Sequence, residues 1–423
     1  MIKYNYLIIN KKMDESLNYN FENKEIYYFD KSGNKEILGI IKSVDNDFDQ
    51  IEIEFSKFGK ALYKNINNPI GISEALRIFK NNKNVTDVPD MESLLIETDL
   101  NSKNGIGNII IGELPNKIKL ENIITDDTSL SNMFNYEAFN KRNVNFNAIK
   151  LFKDGLDIKG KHVFIKASNS KESENMLYME YEALKTLKNN GINVPDVELK
   201  IIDNKPFLIM ERFDKKSDFT VEKKGSNFYT NKDSGVYNSS QLFTIKDIVK
   251  NTAKVDYEYQ LTDQSYLIAL NFVNKLHESK DESTKEFLDI SNKKNKKEIF
   301  KVLSFNLMIG NNDMHGDNIG FVLNSKVNSL NGNIDYKLAP FYDITPHRFY
   351  TNENSIFKNS SNDLKLEDLK GTSYRGLIEN KDFIAGFEEA KVMFNDYKKS
   401  LEKRFENKSE QLNSIKEYFQ KKY

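Results

Sequence analysis

The sequence predicts an α+β fold, and three features support this. Strand patterns dominate the first hundred or so residues, including the alternation Ile51-Glu52-Ile53-Glu54-Phe55. A strand, helix, strand-pair succession runs from Asn145 to Glu211. Apolar residues then recur at helical spacing, most clearly over Lys297–Ile309 and Phe383–Tyr423.

Composition narrows the possibilities. The 423 residues suit two or three domains with sizeable cores. Hydrophobic residues make up 39% and charged residues 30%, as in a soluble protein with a polar surface. Lys plus Arg total 62 against 63 Asp plus Glu, a net charge of −1 that gives no support for a strongly basic nucleic-acid binder and leaves only local basic patches open. With no Cys, disulfides, thiolate nucleophiles and Cys-based metal sites are excluded. No apolar run approaches the roughly 20 residues of a membrane span. Met1–Asn10 lacks a signal peptide's long apolar core and reads as a first strand, so the expected location is the cytoplasm.

The elements follow in order. Glu36–Lys42 and Gln50–Phe55 are strand-like, Ile72–Phe79 reads as a short helix, and Gly105–Gly112 is a Gly-punctuated strand. Asn145–Phe152 and His162–Ala167 form two strands around a turn holding Gly155 and Gly160. A helix over Ser173–Asn189 is closed by Asn190-Gly191. Val197–Ile202 and Pro206–Glu211 make a strand pair, and the polar Lys215–Ser240 is expected to be a loop or small insertion. Thr262–Leu276 and Lys297–Ile309 are helical, Gly320–Leu323 and Tyr336–Leu338 form a hairpin, Thr351–Asp363 is loop, and Phe383–Tyr423 is helical.

The chemistry lies around that hairpin. Ile309-Gly310-Asn311-Asn312-Asp313-Met314-His315-Gly316-Asp317-Asn318 breaks a helix and carries Asp313 with Asn318 five residues on. Leu338-Ala339-Pro340-Phe341-Tyr342-Asp343 adds a second Asp thirty residues after Asp313. Phosphoryl transfer of the kinase kind needs this set: a carboxylate to receive the substrate's hydroxyl proton, plus an amide and a carboxylate to hold Mg²⁺. Upstream, Lys166 ends the strand Val163-Phe164-Ile165, and Glu180 lies mid-helix. A strand-end lysine is by itself an ordinary surface group. Its place ahead of a Glu-bearing helix favours a phosphate-binding role, with Glu180 holding it. Glu211-Arg212-Phe213-Asp214 after an apolar strand is a connector whose backbone can take adenine. This order of strand, Lys, helix, strand pair and connector is that of a kinase's small lobe. His315 orients the loop or contacts nucleotide.

The chain resembles the HipA-like Ser/Thr kinases, the toxin components of bacterial toxin–antitoxin pairs. The resemblance rests on Met179-Glu180-Tyr181, Gly191-Ile192-Asn193-Val194-Pro195-Asp196, Met210-Glu211-Arg212-Phe213-Asp214, the Asp313 loop and the segment ending at Asp343, in family order. It implies a bilobal protein-kinase-like fold with an N-terminal α/β subdomain (1–125), a small lobe (126–214) and a mainly helical C-terminal lobe (215–423). It implies ATP and Mg²⁺, with Asp313 as catalytic Asp, Asn318 and Asp343 as metal ligands, and Lys166 as the phosphate-binding Lys. The backbone of Glu211 and Phe213 would contact adenine. The implied partners are a protein substrate, such as an aminoacyl-tRNA synthetase, and a DNA-binding antitoxin.

Two departures from the family pattern leave alternatives open. Asp317 stands where the family loop often has Lys, and His315-Gly316-Asp317 also resembles the His-Gly-Asp of small-molecule phosphotransferases. In that case Asp317 would be the base, but position 322 is Val322 where an Asn is required. The expected phosphate loop, about Tyr136–Asn147, contains no Gly; Lys141 and Arg142 either contact phosphate there or are solvated loop charges. A pseudokinase that only binds nucleotide or an antitoxin is the remaining alternative.

Overall fold

The computed structural model describes residues 23, 25–29, 35–44, 51–56, 93–96, 109–112, 116–120, 122–137, 143–168, 170–215, 217–236, 242–244, 293–311, 318–323, 336–346, 364–371, 377–406 and 413. The strand expected at Met1–Asn10, the helices expected at Ile72–Phe79 and Thr262–Leu276, and the loop expected at Thr351–Asp363 lie outside these residues, as do Asp313, His315, Asp317, Lys141 and Arg142. The chain divides into two compact units. One comprises Met1–Lys119, Asp214–Phe243 and Val322–Tyr336; the other comprises Leu120–Phe213, Thr244–Phe321 and Lys337–Tyr423.

In the first unit, β1 (Glu25–Phe29), β2 (Lys35–Val44), β3 (Ile51–Phe55), β4 (Ser93–Ile96) and β5 (Ile109–Gly112) form an antiparallel sheet in the order β3-β2-β1-β5-β4. Ile26, Leu38 and Ile41 are fully buried. Gly39 is required where β2 crosses β3, because a Cβ there would sit 2.7 Å from Glu54 O. The same unit holds β6 (Lys117–Lys119).

The second unit contains the elements that position the site. It begins with β7 (Ile123–Ile124) and α1 (Asp127–Glu137), followed by the long hairpin of β8 (Asn143–Asp154) and β9 (Asp157–Ser168). Then come α2 (Lys171–Asn189), β10 (Val197–Ile202) and β11 (Lys205–Glu211). Its sheet runs β10-β11-β9-β8-β7, antiparallel except for the β7–β8 pair. Side chains alternate across β9. Val163, Ile165 and Ala167 join Phe207 and Ile209 of β11 under Leu130 and Phe134 of α1. Phe134 and Phe207 meet edge-on at 5.3 Å. Each fully buried aromatic of this kind contributes about 1.5–3 kcal/mol by leaving water. Lys166, on the opposite face of β9, reaches Glu180 of α2.

The polar stretch expected to be a loop or small insertion contains a pair of strands, β12 (Phe219–Lys224) and β13 (Asn227–Asn231), turned at Gly225 with φ +61°. Buried Phe219 and Val221 alternate with exposed neighbours, a period-2 signal masked by the flanking lysines. β13 pairs with β6. Gly155 turns the β8–β9 hairpin at φ +62°, but Gly160, expected in that turn, lies inside β9. After β14 (Leu242–Thr244) come α3 (Lys293–Ile309), β15 (Gly320–Leu323), β16 (Tyr336–Leu338) and α4 (Lys381–Arg404).

α4 is capped by Asn380 Oδ1, which accepts from the N–H groups of Asp382 and Phe383. It ends at Arg404, and of the remaining residues expected to be helical as far as Tyr423 only Phe405, Glu406 and Asn413 are among those described. Against α3, Gly386 lets the helices approach, since a Cβ there would lie 3.0 Å from Lys301 N. Phe300 and Phe383 close the seam edge-on at 5.7 Å. No helix among the described residues is long and apolar enough to cross a membrane.

Candidate active site

Lys166 Nζ donates to Glu180 Oε1 and to Asp343 Oδ1, both at 2.7 Å. The two carboxylates come from a helix and a loop, and Asp343 lies 177 residues from the lysine. Side-chain exposure is 12% for Lys166, 2% for Glu180 and 30% for Asp343, so the cluster is buried at one end and open at the other. Burial by itself lowers the Lys166 pKa, but Asp343 and then Glu180 outweigh it and hold the ammonium above its ordinary range. Glu180 is shifted the other way for a carboxylate. Burial raises its pKa, and the attraction of Lys166 only partly offsets this.

Local structure fixes each partner. Ser170 caps α2, its hydroxyl accepting from Ser173 N at 3.2 Å. At the far end Gly191, at φ +77°, follows the Asn190 cap as expected.

Asp343 is pinned more tightly. Phe341 N–H donates to Asn193 O at 2.8 Å and Ala339 N–H to Gly320 O at 2.8 Å. Phe341 and Ile344 are buried on either side. Asp343 itself adopts φ +58°, a left-handed conformation that Asp tolerates better than most residues and that is often found at functional sites. Thr345 Oγ1 lies 3.4 Å from Asp343 Oδ1.

Asn311, expected only as part of the helix-breaking Gly310-Asn311-Asn312, has a further part in the site. α3 does end there, in a Schellman arrangement: Gly310 at φ +74° donates to Leu307 O, and Asn311 N–H donates to Asn306 O. The side chain does more. Buried Asn311 Nδ2 donates to Asn306 Oδ1 at 2.7 Å and to the Asp343 carbonyl at 3.1 Å, and Asn306 in turn donates to Val302 O. A two-amide relay thus ties the helix core to the backbone of Asp343. Two Asn residues five apart at a helix end, Asn306 and Asn311, were the only trace of it in the sequence.

Asn318 is 5% exposed and lies just before β15. Its amide and the Asp343 carboxylate are of the hard oxygen type that Mg²⁺ takes, so the donor chemistry of the two side chains suits that ion. Among the described residues no group of three or more His, Cys, Asp or Glu is arranged to hold a metal.

At the connector, the Glu211 side chain pairs with Lys161 at 2.9 Å. Its N–H donates to Asp196 O, and the Arg212 N–H to His162 O. The Phe213 ring packs on Tyr342 at 5.5 Å, next to Asp343 in the chain. Asp214 is buried and belongs to the first unit. The region expected to be the phosphate loop begins in the last turn of α1 and ends in β8. α1 itself was missed in the sequence, although Asp126 Oδ1 caps it by accepting from Ser129 N, and Leu130 and Phe134 stand four apart on its buried face.

The structure therefore brings Lys166, Glu180 and Asp343 together. Asn318, Glu211 and Phe213 lie in the same unit, while Asp313 and His315 are outside the described residues.

Comparison with curated proteins finds no match. Among solved structures, HipA of Shewanella oneidensis, determined with HipB and operator DNA, superposes with a TM-score of 0.51 at 12% identity, over 93% of this chain and 97% of that one. At that identity the likeness speaks for the fold alone. The proinflammatory kinase CtkA of Helicobacter pylori aligns with a TM-score of 0.38 at 15% identity, over 64% of this chain and 92% of that one. The model of the HipA-like C-terminal domain matches residues 138–417, a span that includes the Lys166 strand, α2, the connector, Asn318 and Asp343. With about two thirds of its length matched in this way, the chain belongs to the HipA-like family.

Proposed function

We propose that this protein is an ATP-dependent protein Ser/Thr kinase that transfers the γ-phosphate to a hydroxyl of a protein target. The observation that carries the reading is the Lys166 ammonium held 2.7 Å from both Glu180 and Asp343. A buried cation between two carboxylates is costly as a stabilising device, and strongly perturbed groups of this kind concentrate at functional sites. The division into 1–125, 126–214 and a C-terminal lobe at 215–423 belongs with this reading.

In it, Lys166 draws in the phosphates of ATP and Glu180 keeps the ammonium in place. Asn318 and Asp343 hold Mg²⁺, which offsets phosphate charge. Asp313 orients the substrate hydroxyl and receives its proton, a contribution of about 10²–10⁴ in rate. Adenine is assigned to the backbone of Glu211 and Phe213 and to the adjoining Asp214, and His315 to the nucleotide side of its loop. The Glu211 and Arg212 amides already donate within the protein, which points adenine recognition at Glu211 to its carbonyl.

A DNA-binding antitoxin as partner is supported by the family and by the HipB and operator DNA present with the S. oneidensis protein. The proposed substrates are proteins of translation such as aminoacyl-tRNA synthetases, phosphorylated in the cytoplasm.

Labelled ATP with Mg²⁺ and candidate synthetases tests the reading. Wild-type protein is expected to label Ser or Thr, and Asp313→Ala and Asp343→Asn to lose at least about 10²-fold of that activity while staying folded. Near wild-type transfer by either variant would refute the assignment. Nucleotide binding with no transfer would indicate a pseudokinase. Activity that survives Asp313→Asn but not Asp317→Asn would move the base to Asp317.

A further inference from the structure

The turn of α2 that carries Glu180 has a second set of partners. Glu182, 3% exposed, accepts from Arg404 Nε at the end of α4, 222 residues away. The Arg404 guanidinium lies 5.0 Å from the Tyr181 ring centroid and 5.9 Å from that of Tyr178. Phe405 meets Tyr178 edge-on at 5.6 Å. Tyr178, Tyr181 and Glu182 stand at i, i+3 and i+4 and so form one face of the helix. Glu180 lies about 200° from Glu182 around the axis, at about 100° per residue, on the side that meets Lys166.

We propose that Arg404 is a positioning residue for the Lys166–Glu180 pair. The inference rests on the kinase reading above, in which that pair receives the phosphates of ATP. Packing on a sheet leaves a helix some freedom to slide and roll about its axis. Anchors on two opposite sides remove that freedom. Lys166 engages one side through Glu180, and Arg404 engages the other through Glu182 and the two tyrosine rings. The guanidinium suits this role because its plane stacks on rings while its edge donates to a carboxylate; an ammonium does only the second well. Glu182, at 4% side-chain exposure, would be left buried without its cation if the Arg404 side chain were truncated, which ties the geometry of α2 to that of α4 at this point. α4 thereby sets the depth at which Glu180 meets Lys166, although it contributes nothing to the cluster itself.

Binding of mant-ATP in the presence of Mg²⁺ tests this without a protein substrate. Arg404→Met keeps an unbranched stem and removes the charged guanidinium. It is expected to weaken mant-ATP binding about tenfold, because misplacing a positioned group by about 1 Å can cost up to ~10²-fold. Arg404→Lys should restore part of the affinity. In a Glu180→Gln background, Arg404→Met should add little, because its effect passes through Glu180. If Arg404→Met only lowers the melting temperature and binds like wild type when folded, or if its effect simply adds to that of Glu180→Gln, the proposal is overturned. Should Arg404→Met fail to fold, the same cycle is run with Arg404→Lys, whose smaller loss must also vanish in the Glu180→Gln background. Failure of the kinase reading looks different: wild-type protein would not bind mant-ATP, or Glu180→Gln would bind as wild type does, and both proposals would fall.

Discussion

Lys166 with Glu180 and Asp343, and Glu389 with Lys297 and Lys301, are both clusters of three charges, but they are built on opposite terms. In the first, one cation sits between two carboxylates drawn from a strand, a helix and a loop, with Glu180 only 2% exposed. In the second, one carboxylate bridges lysines on successive turns of α3, 2.6 Å from Lys297 and hydrogen-bonded to Lys301, with Glu389 39% exposed. Their carboxylates respond oppositely. Burial holds Glu180 above the ordinary range, whereas hydrogen bonds from Lys297 and Lys301 hold Glu389 below it. Solvent screens the second cluster, which ties two helices at little cost and little gain. The first must be compensated by geometry at every atom. The same residue types thus serve as surface fastening in one place and as a poised site in the other, and burial makes the difference.

Breaking the inner cluster should have the largest effect. Lys166→Met leaves Glu180 buried without its cation. It is expected to cost about 3 kcal/mol of stability, read from urea unfolding, and to abolish mant-ATP binding. An unfolding curve and affinity like those of wild type would show the cluster to be incidental.

Next comes the anchor that only the inner cluster possesses. Asn311→Ala removes the amide donated to the Asp343 carbonyl and leaves Asn306 Oδ1 without that donor. A loss of about 1–3 kcal/mol is expected, together with weaker Mg²⁺-dependent nucleotide binding. Lost stability with unchanged nucleotide binding would reduce Asn311 to a helix-end residue.

The smallest effect is the most diagnostic, because its sign differs between the clusters. Glu180 has a raised folded-state pKa, so its contribution to stability is greatest at low pH and is lost as pH rises through that value. Glu389 has a lowered pKa, so its contribution is present above the ordinary carboxylate value of ~4.3 and is lost as pH falls below it. On acidification from neutral pH, wild type should therefore gain on Glu180→Gln first, above ~4.3, and lose its advantage over Glu389→Gln later, below it. Chemical unfolding of the three proteins across that range measures both differences. Equal signs would refute the contrast.

Much of this was legible in the sequence. The hairpin pair Gly320–Leu323 and Tyr336–Leu338 has the bounds its pattern suggested, and α2 with its Asn190-Gly191 end differs by two residues at its start. These are local signals of period and cap. The β12–β13 hairpin was missed because lysines and polar residues hid two buried positions, Phe219 and Val221. α1, most of which precedes the expected phosphate loop at Tyr136–Asn147, is marked in the sequence only by its Asp126 cap and by Leu130 and Phe134 four apart. Lys166, Glu180 and Asp343 were each named from the sequence, but nothing in it indicated that one ammonium would hold both carboxylates.

The sequence by itself determined the order of strands and helices, where they start and stop, and which residue types were present to do chemistry. Those properties follow from neighbours a few positions apart, through backbone preference, capping and side-chain period. Only the tertiary structure decided that Lys166 meets Asp343 across 177 residues and that Arg404 grips the back of the Glu180 helix across 222. Such pairings depend on how deeply each group is buried and from which side it is approached. Both are set by packing of the whole unit, which no local pattern encodes.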